Sequence, residues 1–194
     1  MDNAFDRRTV ASIVAGTILL IITNVCVWTI PAVPDEWAVR ICAVILVIVA
    51  AVSSTVTGVL VPLASCILTG VVFNRPEVLL QMGILLVTGA VTGHYAGKLG
   101  VKYGKFEGIA ILDYAVIETA AAIISWLCVQ PLLYLYAFRQ DLRIAIDRGF
   151  NECLISVCGK LIICLPILLI SNHFFRKIQM VEDAKREYLY HAGK

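Results

Sequence analysis

Residues 9–30 read TVASIVAGTILLIITNVCVWTI, an apolar stretch without a charged side chain. An α-helix needs about 20 consecutive, mostly apolar residues to cross the hydrocarbon core of a bilayer. This stretch meets that requirement. It is too long for the apolar core of a signal peptide, and no small-residue cleavage site stands in the right place. We therefore expect it to persist as a first transmembrane helix.

The composition of the chain favours a membrane protein throughout. Of 194 residues, 60% are hydrophobic and 15% are charged, whereas soluble domains are about half apolar and about a quarter charged. Further apolar stretches predict helices at about 37–52, 56–73, 78–95, 109–133 and 150–170. The expected fold class is an all-α integral membrane protein, a six-transmembrane-helix bundle over residues 9–174. A cytoplasmic N-terminus (residues 1–8) precedes it and a cytoplasmic polar tail (residues 175–194) follows.

Charge and cysteine usage narrow the function. Lys and Arg concentrate at the end of the predicted bundle that holds both termini, which predicts that both termini are cytoplasmic. The net charge of +2 gives no indication of nucleic-acid binding. The 7 cysteines lack C-x-x-C spacing and lie in apolar stretches, so we expect no metal site and treat them as small apolar residues.

Ionisable side chains within the predicted spans are candidates for a functional site, because a charge at membrane depth is costly. Glu118 in the fifth helix and Lys160 in the sixth both fall near the bilayer midplane when about 1.5 Å of rise is counted per residue. We expect them to form an ion pair, either a structural clamp between helices or part of a polar ligand cavity. Asn151 and Glu152 fall near the outer end of the sixth helix, where solvation is an equally good explanation.

Other residues carry weaker signals. Tryptophans usually anchor a span at the membrane interface, and a stacking role against a ligand is most plausible for Trp126, within the fifth helix. Ala11 and Ala15 stand four residues apart in the first helix, a spacing that lets another helix approach closely. No phosphate-binding G-x-x-x-x-G-K-[ST] loop and no H-E-x-x-H or G-x-S-x-G motif is present. We therefore expect neither ATP hydrolysis nor another enzymatic activity from this chain.

The layout resembles a known family of membrane proteins. The matching features, over about residues 9–170, are the small-residue start of helix 1, a Pro-x-x-Pro loop at 31–34, the segment WLCVQPLL at 126–133, and Arg148-Gly149 at the opening of helix 6. In order and spacing they resemble the S component, or substrate-binding subunit, of energy-coupling factor (ECF) type ABC transporters for vitamins. The nearest subfamily is the one for riboflavin, pyridoxine or hydroxymethylpyrimidine. The chain departs from it at Glu118, which replaces an amide, and at Lys160, which is added.

The resemblance implies a mechanism. Such a subunit binds a small water-soluble vitamin or precursor from outside a prokaryotic cell membrane, beneath the loop between helices 1 and 2. It docks on a transmembrane coupling subunit through the face that here holds Ala11 and Ala15. Two cytoplasmic ATPase subunits bind the ATP, so this chain needs no cofactor. The candidate pocket residues are Glu118, Trp126, Gln130, Asn151, Glu152 and Lys160, with Trp37 in the lid loop.

Two other functions remain open. A non-transport scaffold of the cell envelope predicts a bundle without a ligand cavity. An intramembrane lipid-modifying enzyme, with Glu118 or His94 as general base, requires a second catalytic group within hydrogen-bonding reach.

Overall fold

The structure, a computed structural model, describes residues 7–30, 34, 36–75, 77–139 and 141–192. Within these ranges all regular elements are helical. The first four helices are α1 (Arg7–Thr29), α2 (Glu36–Val52), α3 (Thr55–Val72) and α4 (Glu77–Leu99), followed by a short 3-10 turn (Val101–Tyr103).

Two long composite helices complete the chain. The first joins α5 (Ile109–Ile123), a π-helical segment π1 (Ile124–Val129) and α6 (Gln130–Phe138). The second joins α7 (Leu142–Gly159), a second π segment π2 (Lys160–Cys164) and α8 (Leu165–Ala192). Each π segment ends two residues before a proline, Pro131 or Pro166. Proline cannot donate a backbone hydrogen bond and its ring clashes with the carbonyl four residues earlier, so we attribute both π segments to these prolines.

The prediction of an all-helical fold is confirmed for the described residues, and the length and composition of several helices agree with a membrane protein. Four helices are long and apolar enough to cross a membrane: Arg7–Thr29, Thr55–Val72, Ile109–Tyr136 and Leu142–Val181. A further apolar helix, Trp37–Val52, is shorter.

Some helix boundaries differ from the sequence-based expectation. The charged segment 139–148 is mostly helical, because α7 already begins at Leu142. Asp141 caps that helix by accepting a hydrogen bond from the Arg143 backbone N–H at 2.8 Å, a stabilising role that Asp performs well. The predicted polar tail is helical as far as Ala192. Of the terminal segments, residues 1–6 and 193–194 lie outside the described ranges.

The prediction that Trp37 lies in a lid loop is wrong. Trp37 lies in the first turn of α2, which begins at Glu36. Pro34 accepts a backbone hydrogen bond from the Trp37 N–H at 2.9 Å, so the helical turn starts directly after the prolines. Residues 31–33 of the Pro-x-x-Pro loop lie outside the described ranges.

The first four helices form the main packing unit. α3 packs on α1 and α4, and α2 packs on the same two helices. The composite helices join this unit through contacts of α4 with α5 and of α2 with π2. Where α3 crosses α4, Gly58 and Gly89 face each other so closely that a Cβ on either would overlap the carbonyl oxygen of the other.

The glycine contact gives a direct test of this packing. Gly89→Ala should lower the free energy of unfolding in detergent by about 1–3 kcal/mol, the usual cost of overpacking. Gly97→Ala in the same helix is the control, since a Cβ there meets no described atom within 4 Å. That change should be neutral or stabilise the protein by up to about 1 kcal/mol. Equal thermal stability of the two variants would contradict the close α3–α4 crossing.

Candidate ligand-binding site

A buried ion pair joins the two composite helices. The Lys160 Nζ atom lies 3.1 Å from Glu118 Oε2, and the two side chains are only 1% and 0% exposed. The predicted Glu118–Lys160 pair is therefore confirmed. Thr92 of α4 donates a hydrogen bond of 2.5 Å to the other carboxylate oxygen, Glu118 Oε1. Three helices thus meet at one carboxylate.

The contact between the two charged atoms is not aligned as a hydrogen bond, although their distance is short. Among the described residues, Lys160 Nζ and Glu118 Oε2 have no hydrogen-bond partner that meets angular criteria. The two charges still attract each other at this distance, because the attraction between charges depends weakly on angle. The ammonium group therefore retains N–H donors for a further acceptor.

Tyr114 fixes the backbone next to this pair. Its hydroxyl donates to the backbone carbonyl oxygen of Lys160 at 3.2 Å and ties α5 to the first residue of π2. Lys160 is thereby held at both its backbone and its ammonium group.

A second ion pair lies nearer the start of α7. Arg40 of α2 binds Glu152 in a bidentate manner, with its Nε donating to Oε2 at 2.9 Å and its Nη2 donating to Oε1 at 2.5 Å. Glu152 is only 7% exposed, so the guanidinium of Arg40, rather than water, balances the charge of its carboxylate. The Arg40 guanidinium also lies over the Trp37 ring, 5.1 Å from its centroid.

A cavity of about 210 Å³ lies between α2 and the α7–π2 helix, and its lining combines two cations with an apolar wall. The polar part of the lining is Arg40, Ser156 and Lys160. The rest is Trp37, Ile41, Val44, Ile155, Gly159 and Ile163. Among the described residues no carboxylate lines this space, because Glu118 and Glu152 lie behind their cationic partners. The arrangement suits an acceptor or anionic group on a mostly apolar molecule.

Trp126 and Gln130 are buried but do not line this cavity. The Trp126 ring packs in the core with Cys153 and Ala122. Within the described part of the chain, Trp126 Nε1 and Gln130 Oε1 have no hydrogen-bond partner. A Cβ on Gly149 of α7 would overlap the Trp126 carbonyl oxygen, so the helices approach closely at this point. These two residues therefore place unpartnered polar atoms in a tightly packed part of the core.

Asn151 does not line this cavity. Its side chain is exposed, whereas the next residue, Glu152, is buried. Successive residues on an α-helix point about 100° apart, because each turn takes about 3.6 residues, so only one of the two faces the interior.

The sequence-based selection missed Arg40 and Thr92. Arg40 could have been found from the sequence. Arg40 and Glu152 carry opposite charges, and each was predicted to lie near the outer end of its own helix. Matching depth and charge found Glu118 and Lys160, and the same criterion pairs Arg40 with Glu152. Thr92 offered no such signal, because a threonine in an apolar helix is common and often bonds its own backbone.

Ala11 and Ala15 are both exposed on α1. Among the described residues, no cluster of three His, Cys, Asp or Glu side chains is placed to hold a metal ion.

Comparisons with protein-family models, with curated proteins and with solved structures give no match for this chain.

The buried pair should behave differently from an exposed one. Lys160→Met leaves the Glu118 carboxylate buried without a counter-ion, so the free energy of unfolding should fall by about 3–5 kcal/mol. Adding Glu118→Gln to Lys160→Met should recover most of that loss, because no buried charge then remains. Denaturant unfolding in detergent, followed by circular dichroism, measures both.

The matched control is the exposed pair Arg176–Glu107, with an Nη1–Oε1 distance of 2.7 Å and side chains 53% and 63% exposed. Arg176→Gln should change stability by no more than about 1 kcal/mol. If Lys160→Met proves as mild as Arg176→Gln, the pair does not sit in a dry interior.

Proposed function

We propose that this chain is the membrane-embedded substrate-binding subunit of an ECF-type importer that captures a small water-soluble vitamin or precursor from outside the cell. The observation that carries the proposal is the cavity between α2 and α7–π2, with Arg40 and Lys160 in its lining and their carboxylate partners behind it. A bundle that served only as a scaffold would have no need of a cationic cavity at this depth, since each buried charge is costly.

Six spans fit this proposal. In addition to the four candidate spans, α4 has 23 residues and α2 has 17. At about 1.5 Å per residue, α4 exceeds the roughly 30 Å of hydrocarbon, and α2 is at the lower limit of spanning length. An antiparallel order of six spans leaves both termini on the side that is richer in Lys and Arg. That side is cytoplasmic in a prokaryotic cell membrane.

The chemistry of the lining specifies the ligand further. The guanidinium group of Arg40 and the ammonium group of Lys160 favour a ligand with a carboxylate, a phosphate or a heterocycle rich in acceptors. The isoleucine and valine side chains favour an apolar body, and Trp37 offers a ring for stacking. A strongly cationic vitamin fits this lining poorly.

The lipid-modifying enzyme finds less support. Glu118 lies behind Lys160 rather than in the cavity lining, and it is occupied by Thr92 and Lys160. His94 is exposed on α4 and is not among the lining residues. Neither is placed as a general base for a bound substrate.

The proposed partners are those that the family resemblance implies, and the lack of an ATP-binding motif in the sequence agrees with them. A transmembrane coupling subunit and two ATPase subunits would supply the energy. The exposed Ala11 and Ala15 give the small, flat surface that a second helix needs in order to pack closely in lipid.

Ligand binding is tested by titrating the purified protein with a panel of vitamins and their phosphorylated or carboxylated precursors, using tryptophan fluorescence. We expect saturable quenching, because Trp37 lines the cavity. Ser156→Leu fills the cavity without altering either ion pair and should weaken binding at least ~10-fold, the effect of a steric clash of about 1.4 kcal/mol or more.

Cys158→Leu provides the control, since Cys158 lies on the same helix but is exposed and outside the lining. It should bind as the unmodified protein does. No saturable binding to any compound, or equal binding by the Ser156 and Cys158 variants, would exclude this cavity as the substrate site.

Docking is tested separately from ligand binding. Ala11→Leu combined with Ala15→Leu should abolish co-purification with the coupling subunit, because the larger side chains keep a second helix away from α1. Ligand affinity should not change. Ala120→Leu, an exposed alanine on α5, is the control and should leave co-purification intact. Full recovery of the complex with the α1 variant would rule out this surface.

A further inference from the structure

A second and larger cavity, of about 420 Å³, lies at the other end of α2. It is bounded by the start of α1, the α2–α3 turn, the 3-10 turn after α4, and α8. Hereafter this space is the basic crevice. Its position at the ends of several helices differs from that of the ligand cavity, which is lined by the start of α2 and by residues of α7 and π2.

The polar lining of the basic crevice is suited to a phosphate group. Its charged members are Arg8 and Lys102, and among the described residues no carboxylate lines it. The hydroxyl side chains of Thr9, Ser12 and Ser53 line the same space and can donate hydrogen bonds. Two cations and several hydroxyl donors around one space complement an anion that carries several acceptor oxygens.

Part of the lining is apolar. Val52, Phe175 and Ile178 belong to it, and the neighbouring Val10 and Val14 of α1 are exposed, 44% and 53%. A free phosphate has no use for such a surface, whereas the acyl chains of a lipid do. The basic crevice thus has a polar and an apolar part, and it lies at the ends of helices that are long and apolar enough to cross a membrane.

Contacts on one side give the basic crevice a defined shape. Gln179 of α8 donates a hydrogen bond of 3.4 Å to the Lys102 backbone oxygen. Nearby, Arg176 pairs with Glu107, and a Cβ on Gly104 would clash with the Arg176 backbone. α8 is therefore fixed against the 3-10 turn, and α1 closes the opposite side.

We propose that the basic crevice binds the headgroup of an anionic phospholipid, with the phosphate between Arg8 and Lys102 and the acyl chains along the exposed apolar face of α1. Charge complementarity selects an anionic headgroup over a zwitterionic one, since juxtamembrane basic residues attract anionic lipids. The proposal depends on the chain being a membrane protein and not on the transport function.

The test measures phosphatidylglycerol binding to the full-length protein in detergent, by native mass spectrometry and by thermal shift, with phosphatidylcholine as the zwitterionic comparison. We expect saturable binding of phosphatidylglycerol that weakens as salt is raised. Arg8→Gln combined with Lys102→Gln should weaken it on the order of 30-fold, since each charge contributes about 1 kcal/mol, or about fivefold in affinity. Both side chains are exposed, so the fold should tolerate these changes.

Lys105→Gln combined with Lys177→Gln is the matched control, because it removes the same charge from exposed residues that do not line the basic crevice. It should reduce affinity for phosphatidylglycerol much less than the Arg8→Gln and Lys102→Gln pair does.

A steric variant tests the same space without changing its charge. Ser12→Phe keeps both cations but fills the basic crevice, and it should abolish tight binding.

Three results would overturn the proposal. Equal losses in the two charge variants would mean that the lipid responds only to the overall positive charge. Phosphatidylcholine binding as tightly as phosphatidylglycerol would remove the selectivity for an anion. Complete displacement of the lipid by millimolar inorganic phosphate would indicate a site for free phosphate compounds.

Discussion

The Glu118–Lys160 pair is the contact on which the rest of the arrangement depends. A buried charge without a counter-ion is costly in a dry interior, so each member of the pair stabilises the other. The pair fixes α5 against π2, and Thr92 adds α4 through the same carboxylate. Since Glu118 holds the ammonium group from behind, Lys160 can also form part of the wall of the ligand cavity. Structural clamp and ligand site, alternatives when only the sequence is considered, are compatible in this geometry.

The two composite helices share one feature, a π segment that precedes a proline. Pro131 and Pro166 each follow a π segment by two residues, and the segments contain Trp126 and Lys160. A π segment inserts extra backbone into one turn and rotates the side chains around it, which is why such segments often occur at functional positions. At π2 the turn carries the Lys160 side chain inward, and Tyr114 bonds its carbonyl oxygen. Backbone irregularity and buried charge thus coincide at one residue.

Much of the fold could be predicted from the sequence, because apolar length is a strong signal in membrane helices. The helices and the Glu118–Lys160 pair follow from hydropathy and from counting depth. The start of α7 could not be placed by hydropathy, since its first turns are charged and depend on the Asp141 cap. Asn151 could not be separated from Glu152, because adjacent residues differ only in the rotation of the helix. Trp37 was placed in a lid loop by the family resemblance, whereas hydropathy alone put the start of the second helix close to its observed first residue, Glu36.

The two ends of α2 carry two cationic sites, the ligand cavity between α2 and α7–π2 and the basic crevice at the ends of several helices. Only the ligand cavity has a lysine of a buried ion pair in its lining, so that pair is the feature to measure. Solid-state NMR of the protein in lipid bilayers can detect the dipolar coupling between the Lys160 side-chain nitrogen and the Glu118 carboxyl carbon. A strong coupling, as the 3.1 Å Nζ–Oε2 separation requires, would support the pairing. A folded protein without that coupling would show that the two charges face elsewhere, and the cationic cavity between α2 and π2 would then not exist in this form.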